Sequence, residues 1–166
     1  MRIPCDGFEF DFTDALEAFV FDQQDSAHVK FHGLSHAMKA VDLVVELNEC
    51  FLFVEIKDFR TDDDLTTGDG FIKLKSALKY KFRDSFVYRW AEDIAAKPIH
   101  YLCMLSLDNA LTTRLAKDLK HELPCGRPIG RWQRDVATSC VVLNPEAWNR
   151  NFPKWPVCRC DNRELE

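Results

Sequence analysis

The clearest pattern of apolar and polar positions is a pair of β-rich runs near the middle of the chain. Residues 40–47 and 50–59 are rich in β-branched and aromatic side chains, and Asn48 and Glu49 lie between them. Two β-rich runs joined by two turn residues are typical of an antiparallel hairpin. The pattern therefore predicts that these two segments pair.

The register of this hairpin follows from its turn. Counting outward places Val45 opposite Leu52 and Asp42 opposite Glu55. Because strand side chains alternate between faces, Lys57 lies on the same face as both carboxylates. The opposite face is predicted to be apolar and carries Leu43, Val45, Leu47, Leu52, Val54 and Ile56.

The other elements are predicted from periodicity and from cap and turn residues. Asp14 and Glu17 form a capping box before apolar positions, which indicates a helix. Leu74, Leu78, Phe82 and Phe86 recur every fourth residue, which indicates a long helix. The predictions are helices at 14–22, 71–90 and 110–121, strands at 28–34, within 99–107 and at 138–143, and an irregular tail from Pro145 packed by its aromatic residues.

Length, charge and cysteine content restrict the class of protein. A chain of 166 residues fits a single domain, 1–166, with one core. The net charge of -5 argues against a domain that binds nucleic acid simply by being basic. No apolar signal core and no run long enough to span a membrane are found, and the 7 cysteines are an odd number. We therefore expect a cytoplasmic protein with reduced thiols and no membrane partner.

The facing carboxylates are the main candidate for chemistry. Cβ atoms of such cross-strand pairs lie about 4.5 to 5.5 Å apart, so Asp42 and Glu55 would repel each other unless a cation or proton lies between them. Carboxylate oxygens suit Mg²⁺ or Mn²⁺, which also bind substrate phosphate. Lys57 would be placed to orient a metal-bound water or to stabilise charge on the phosphate.

Asp42, followed after twelve residues by Glu55-Ile56-Lys57, resembles the signature of the PD-(D/E)XK, or restriction-endonuclease-like, nuclease superfamily. The resemblance implies an α/β fold with a central mixed β-sheet flanked by helices, in αβββαβ order, over a core of about 12–107, with a C-terminal αβ extension of about 108–166. It also implies a Mg²⁺-dependent phosphodiesterase acting on DNA. Asp42, Glu55 and the carbonyl of Ile56 would be metal ligands, Lys57 would act in catalysis, and Glu17 would be the acid from the first helix.

Two departures from the signature affect the prediction. Val41 stands where the signature has proline, and the QxxxY motif of some members is missing from the following helix. That helix instead carries basic residues at positions from which they would face backbone phosphates. These candidates for nucleic-acid binding are Lys75, Lys79, Lys81 and Arg83.

Simpler interpretations and other functions remain open at this point. The hairpin cluster would also suit a cross-strand ion pair, Glu17 has a sufficient role in a capping box, and a basic helix face is often merely solvated. The alternative to a nuclease is an inactive module of the same fold that binds nucleic acid or acts as an adaptor in a larger complex. For the enzyme, the partner is DNA, or RNA, and cutting both strands would call for a homodimer.

Overall fold

The computed structural model describes residues 1–59, 68–126 and 129–160. These residues contain eight strands and three helices. In chain order they are β1 (Arg2–Cys5), β2 (Phe8–Asp11), β3 (Glu17–Val20), β4 (Leu43–Glu46), β5 (Phe51–Lys57), α1 (Gly68–Ala91), β6 (Ile99–Leu105), α2 (Asn109–Glu122), β7 (Ser139–Leu143), α3 (Pro145–Asn151) and β8 (Val157–Arg159).

A mixed sheet of five strands, in the order β3-β4-β5-β6-β7, organises the α/β fold. The strands β3, β4 and β5 form an antiparallel meander, and β6 and β7 continue the sheet in parallel with β5. A smaller sheet, β1-β2-β8, is formed by the two ends of the chain. The prediction of an α/β protein with a mixed central sheet is confirmed.

The central sheet is covered on both faces. On one face, buried side chains of α1 and α2 such as Leu78 and Leu115 pack against Phe53 of β5. On the other face, Phe10 of the small sheet and Trp148 of α3 pack against Val54 of the same strand. Since β5 lies between two apolar layers, all its side chains from Phe51 to Ile56 are buried.

The predicted hairpin is present in the predicted register. Val45 faces Leu52 and Leu43 faces Val54, and the turn is closed by the Leu47 N–H, which donates to the carbonyl of Cys50 over 2.9 Å. The predicted faces are also correct, because Leu43, Val45, Leu52, Val54 and Ile56 all pack in the layer under the small sheet.

The long helix and the second helix match their sequence signals. Leu74, Leu78 and Phe82 are buried in α1, and Phe86 is partly buried against the same cluster. The side chain of Asp108 caps α2 by accepting a hydrogen bond of 2.8 Å from the Leu111 N–H. The strands predicted within 99–107 and at 138–143 correspond to β6 and β7.

The helix predicted at 14–22 is wrong, since this segment contains strand β3. Ala18 and Val20 pack under the small sheet, whereas Phe19 and Phe21 pack on the helix side, so the segment alternates with the period of a strand. Pairing of β3 with β4 outweighs the local capping signal.

The strand predicted at 28–34 is also wrong, because this segment consists of turns and bends. Its histidine side chains bond to nearby backbone: Nδ1 of His28 accepts from the Lys30 N–H over 3.1 Å, and Nδ1 of His32 accepts from the Leu34 N–H over 3.0 Å. Such local hydrogen bonds compete with the backbone hydrogen bonds that a β-strand would form with a neighbouring strand.

The chain ends are more regular than the sequence indicated. No element was predicted before Asp14, yet β1 and β2 form a hairpin there, and the tail contains α3 and β8. The expected aromatic packing of the tail is present, with Trp148 against Phe152 at a centroid distance of 5.1 Å. Among the helices of the described residues, none has the length and apolar character that crossing a membrane requires.

We predict that Trp148→Ala destabilises the protein by about 3 to 5 kcal/mol, the usual cost of removing a buried large aromatic side chain. Trp148 is 0% exposed, stacks edge-on with Phe10 at 5.4 Å, and donates through Nε1 to the carbonyl of Trp155 over 2.7 Å. It therefore joins both chain ends to the central sheet. Urea denaturation followed by circular dichroism measures the loss.

The matched control is Trp90→Ala, because Trp90 is 60% exposed on α1. Its stability should stay within about 0.5 kcal/mol of the wild type. Equal losses for the two variants would contradict the assignment of Trp148 as the residue that anchors the chain ends.

Candidate functional site

The carboxylates of Asp42 and Glu55 meet where three strands come together. Glu55 lies in β5, and the β4–β5 ladder ends at Leu43–Val54, so the register brings Asp42 next to Glu55. The Ile56 N–H donates to Asp42 Oδ2 over 2.6 Å, and the Asp42 carbonyl accepts from the Phe21 N–H over 2.8 Å. Both the side chain and the backbone of Asp42 are thereby held in place.

A lysine that the sequence assigned to phosphate binding lies between the two carboxylates. The Nζ atom of Lys81 is 3.3 Å from Asp42 Oδ1 and 2.7 Å from Glu55 Oε1. The facing carboxylates were expected to need a cation, and this ammonium group supplies one. We call Asp42, Glu55 and Lys81 the charged triad.

The spacing that places Lys81 here is present in the sequence, and it is recognised once the structure is known. Leu74, Ala77, Leu78 and Lys81 follow one another at helical spacing and line one side of α1. Leu74 and Leu78 belong to the predicted buried stripe, so helical spacing places Lys81 at the edge of that stripe. Which carboxylates it would meet depended on how α1 packs on the sheet.

Burial dominates the electrostatics of the triad. Glu55 is only 3% exposed, and this burial, with the nearby negative charge of Asp42, raises its pKa well above the usual value, against the effect of Lys81. Burial also raises the pKa of Asp42, while Lys81 and the Ile56 N–H act to lower it. For Lys81, burial favours the neutral amine, but attraction to Glu55 and Asp42 outweighs it, so its pKa is raised.

One oxygen of the triad has no partner. Glu55 Oε2 is buried and accepts no hydrogen bond from any other described residue. Buried carboxylate oxygens are normally satisfied, because leaving one unpaired costs about 1 to 3 kcal/mol or more. This atom is therefore available to a ligand, or to a proton that Glu55 would share with the adjacent Asp42 carboxylate.

The triad lies at the wall of a cleft of about 600 Å³. The acidic residues that line the cleft are Asp6, Asp22, Asp42, Glu55 and Asp58. Lys81 and Lys57 are the lysines among its described lining residues. Lys57 is exposed on β5, with its Nζ 5.7 Å from the ring centroid of Phe59. Asp42, Glu55 and Lys57 thus all line one acidic cleft, but the lysine that contacts the two carboxylates is Lys81.

Glu17 does not reach this cleft. It lies at the start of β3 and forms an ion pair with Lys30. Asp22, at the other end of this segment, lines the cleft instead, with Oδ1 accepting from Gln24 Nε2 over 2.9 Å. The different position follows from the strand conformation of this segment.

The basic residues of α1 have separate roles. Lys75 pairs with Asp118 at 3.3 Å and with Glu122 at 2.5 Å, and Lys79 also pairs with Glu122, so these lysines join α1 to α2. The hydrogen bonds to both lysines lower the pKa of Glu122 to about 2. Arg83 pairs with Asp84 at 2.9 Å and is 62% exposed. A role of these residues in binding nucleic acid stays a prediction.

The donor set for a metal is small. Among the described residues, no group of three or more His, Cys, Asp or Glu side chains is arranged to hold a metal ion. The side-chain donors of the triad are hard carboxylate oxygens, including the unpartnered Glu55 Oε2, which suit Mg²⁺ together with water. The residues therefore fit a Mg²⁺ site only if water or substrate supplies most of its ligands, and Lys81 competes for the same oxygens.

Comparisons with models of known protein families, with curated proteins and with solved structures found no match. The features of this chain that bear on its function are the charged triad and the acidic cleft.

We predict that Lys81→Met destabilises the protein by about 3 to 5 kcal/mol at pH 7, the usual cost of removing one partner from a buried ion pair. Without the ammonium group, burial raises the carboxylate pKa values further. When a carboxylate has a higher pKa in the folded state than in the unfolded state, ionisation destabilises the fold. This loss of stability is complete above the folded-state pKa and disappears below the unfolded-state pKa near 4.5. The deficit should therefore shrink as the pH falls from 7 to 4, as urea denaturation at both pH values would show.

Lys73→Met on the exposed side of the same helix serves as the control and should change stability by less than about 0.5 kcal/mol. A deficit for Lys81→Met that is the same at pH 7 and pH 4 would mean that packing, and not charge, explains the role of Lys81.

Proposed function

We propose that this protein is a metal-dependent nuclease that hydrolyses phosphodiester bonds of DNA at the charged triad. The observation that carries the proposal is Glu55, a buried carboxylate beside Asp42 at the wall of an open cleft, with one oxygen that has no hydrogen-bond partner among the described residues. A strongly perturbed carboxylate in a cleft is a general mark of a functional site.

The strand order gives further support. An antiparallel meander, β3-β4-β5, is followed by α1 and by the parallel strand β6. Asp42 immediately precedes the second strand of this meander, and Glu55 and Lys57 lie on the third. The order agrees with the βββαβ part of the restriction-endonuclease-like core, and we propose that relation without the first helix of the core.

The proposed roles follow from the chemistry of the side chains. Asp42 and Glu55 would hold Mg²⁺ or Mn²⁺, with the Ile56 carbonyl as a further ligand, and when bound the ion would acidify a water and neutralise phosphate charge. Lys57, exposed at the cleft, would orient the attacking water. Lys81 opposes the rise in the carboxylate pKa values and so favours the ionised forms that a metal requires.

The test is cleavage of plasmid, linear duplex, single-stranded and branched DNA and of RNA, with Mg²⁺, with Mn²⁺ and with chelator. Glu55→Gln keeps the shape of the side chain but removes its charge, and Lys57→Ala removes the exposed ammonium group. We expect both variants to reduce cleavage by about 100-fold or more, because each removes a group that acts on the reacting phosphate.

Glu17→Gln is the matched control, since Glu17 is paired with Lys30 outside the cleft. It should cut at the wild-type rate. The nuclease proposal fails if no substrate is cut with either metal, or if cutting is the same in wild type and Glu55→Gln.

The alternative function is an inactive module of the same fold that acts as a nucleic-acid-binding or adaptor subunit of a larger complex. The observation that favours it is Lys81, which already neutralises part of the carboxylate charge that a metal would require. Calorimetric titration with Mn²⁺ separates the two functions. Binding that Glu55→Gln abolishes supports the enzyme, whereas no binding to folded wild-type protein supports the adaptor.

A further inference from the structure

A second surface with recognisable chemistry lies on the other flank of α1 from the cleft. A groove of about 500 Å³ runs between α1 and the segment that follows α2, and Tyr80, Arg83, Phe86, Trp132 and Val136 are among its lining residues. We call it the aromatic groove. A neighbouring depression of about 210 Å³ shares Phe86 and Val136 with it and is also lined by Arg134, so the two form one continuous surface.

The aromatic side chains of this groove are unusually accessible. Tyr80 and Trp132 are each 49% exposed, although both lie against an apolar floor. The guanidinium group of Arg83 lies over the ring of Tyr80, with Cζ 4.8 Å from the ring centroid. Flat aromatic and guanidinium faces at one surface are the elements on which unpaired nucleobases stack.

The charge around the groove is suited to phosphate. The segment 124–134 contains no acidic residue, and Arg131 and Arg134, which form no ion pair with another described residue, flank Trp132 on both sides. Among the described residues that line the groove and the neighbouring depression, the acid is Asp135, next to Arg134, and the basic residues are Lys79, Arg83, Lys97 and Arg134. Two other nearby acids are paired, Glu122 with Lys75 and Lys79, and Asp84 with Arg83. In a chain with a net charge of -5, this is a local cationic surface.

We propose that the aromatic groove binds single-stranded nucleic acid, with bases stacked on Trp132 and Tyr80 and phosphates at Arg83, Arg131 and Arg134. A duplex keeps the faces of its bases stacked inside, where Trp132 and Tyr80 could not stack on them, so the groove prefers single strands. An apolar peptide would fill the floor but would leave Arg131 and Arg134 without an ion-pair partner among the described residues. This function does not depend on the metal chemistry proposed for the cleft.

The test is fluorescence anisotropy with a fluorescein-labelled oligo(dT) strand and with a duplex of equal length, at low salt and with chelator present. Because the chelator prevents any metal-dependent cleavage, failure of the nuclease proposal leaves this result intact. We expect Trp132→Ala to weaken binding of the single strand about tenfold, the usual effect of losing one stacked base. Trp132→Phe should keep most of the affinity, since the ring remains.

Trp90→Ala is the matched control, because Trp90 is exposed on α1 but does not line the groove. Arg134→Ser should weaken binding and reduce its salt dependence. The proposal is overturned if wild type prefers the duplex, if Trp132→Ala binds as wild type does, or if wild type is a dimer in sedimentation that Trp132→Ala converts to a monomer. The last result would identify the groove as an interface between copies.

Discussion

The whole arrangement depends on β5 being buried on both faces. Its side chains contribute alternately to the core under α1 and α2 and to the core under the small sheet. A slip of one residue would exchange these two sets, so the register with β4 is strongly specified. The same alternation points Glu55 toward the helix layer, where α1 brings Lys81 to meet it. The triad is thus a consequence of the packing that stabilises the sheet.

Burial of the triad has a cost that shapes its chemistry. Moving a charged carboxylate out of water costs several kcal/mol, and a partner at hydrogen-bond distance offsets this cost only in part. Lys81 offsets part of it, yet burial still raises the pKa of Glu55. The site therefore retains affinity for a proton or for a second cation, and these two ligands compete with each other and with Lys81 for the same oxygens.

The hairpin was predictable because its information is local. A two-residue turn and alternating side chains determine that Val45 meets Leu52, and the position of Asp42 follows by counting. In β3 the residues from Ala18 to Val20 are all apolar, so their alternate packing on the two faces leaves no periodic signal in the sequence, whereas the capping box before them is complete. The pairing of β3 with β4 is tertiary, and propensity does not report it.

Lys81 shows the other limit of prediction from sequence. Helical periodicity placed it at the edge of the buried stripe, next to Leu78. Periodicity could not show that this edge lies over β5, because the packing of α1 on the sheet involves residues far apart in the chain. The interpretation of Lys75 and Lys79 was limited in the same way, since their partners Asp118 and Glu122 lie on α2.

The charge of the cleft bears directly on what it can bind. Among the described residues, its walls carry five carboxylates and two lysines, and Asp58 is also paired with Arg159 at 2.5 Å. Each excess carboxylate near a phosphate repels it by about 1 kcal/mol at ~4 Å in water, and by more where water is excluded. Electrostatic repulsion therefore opposes binding of a phosphodiester in this cleft unless a divalent cation reverses the local charge. Affinity for nucleic acid without metal would have to come from another surface, and hydrolysis in the cleft would have to depend on metal from the first binding step.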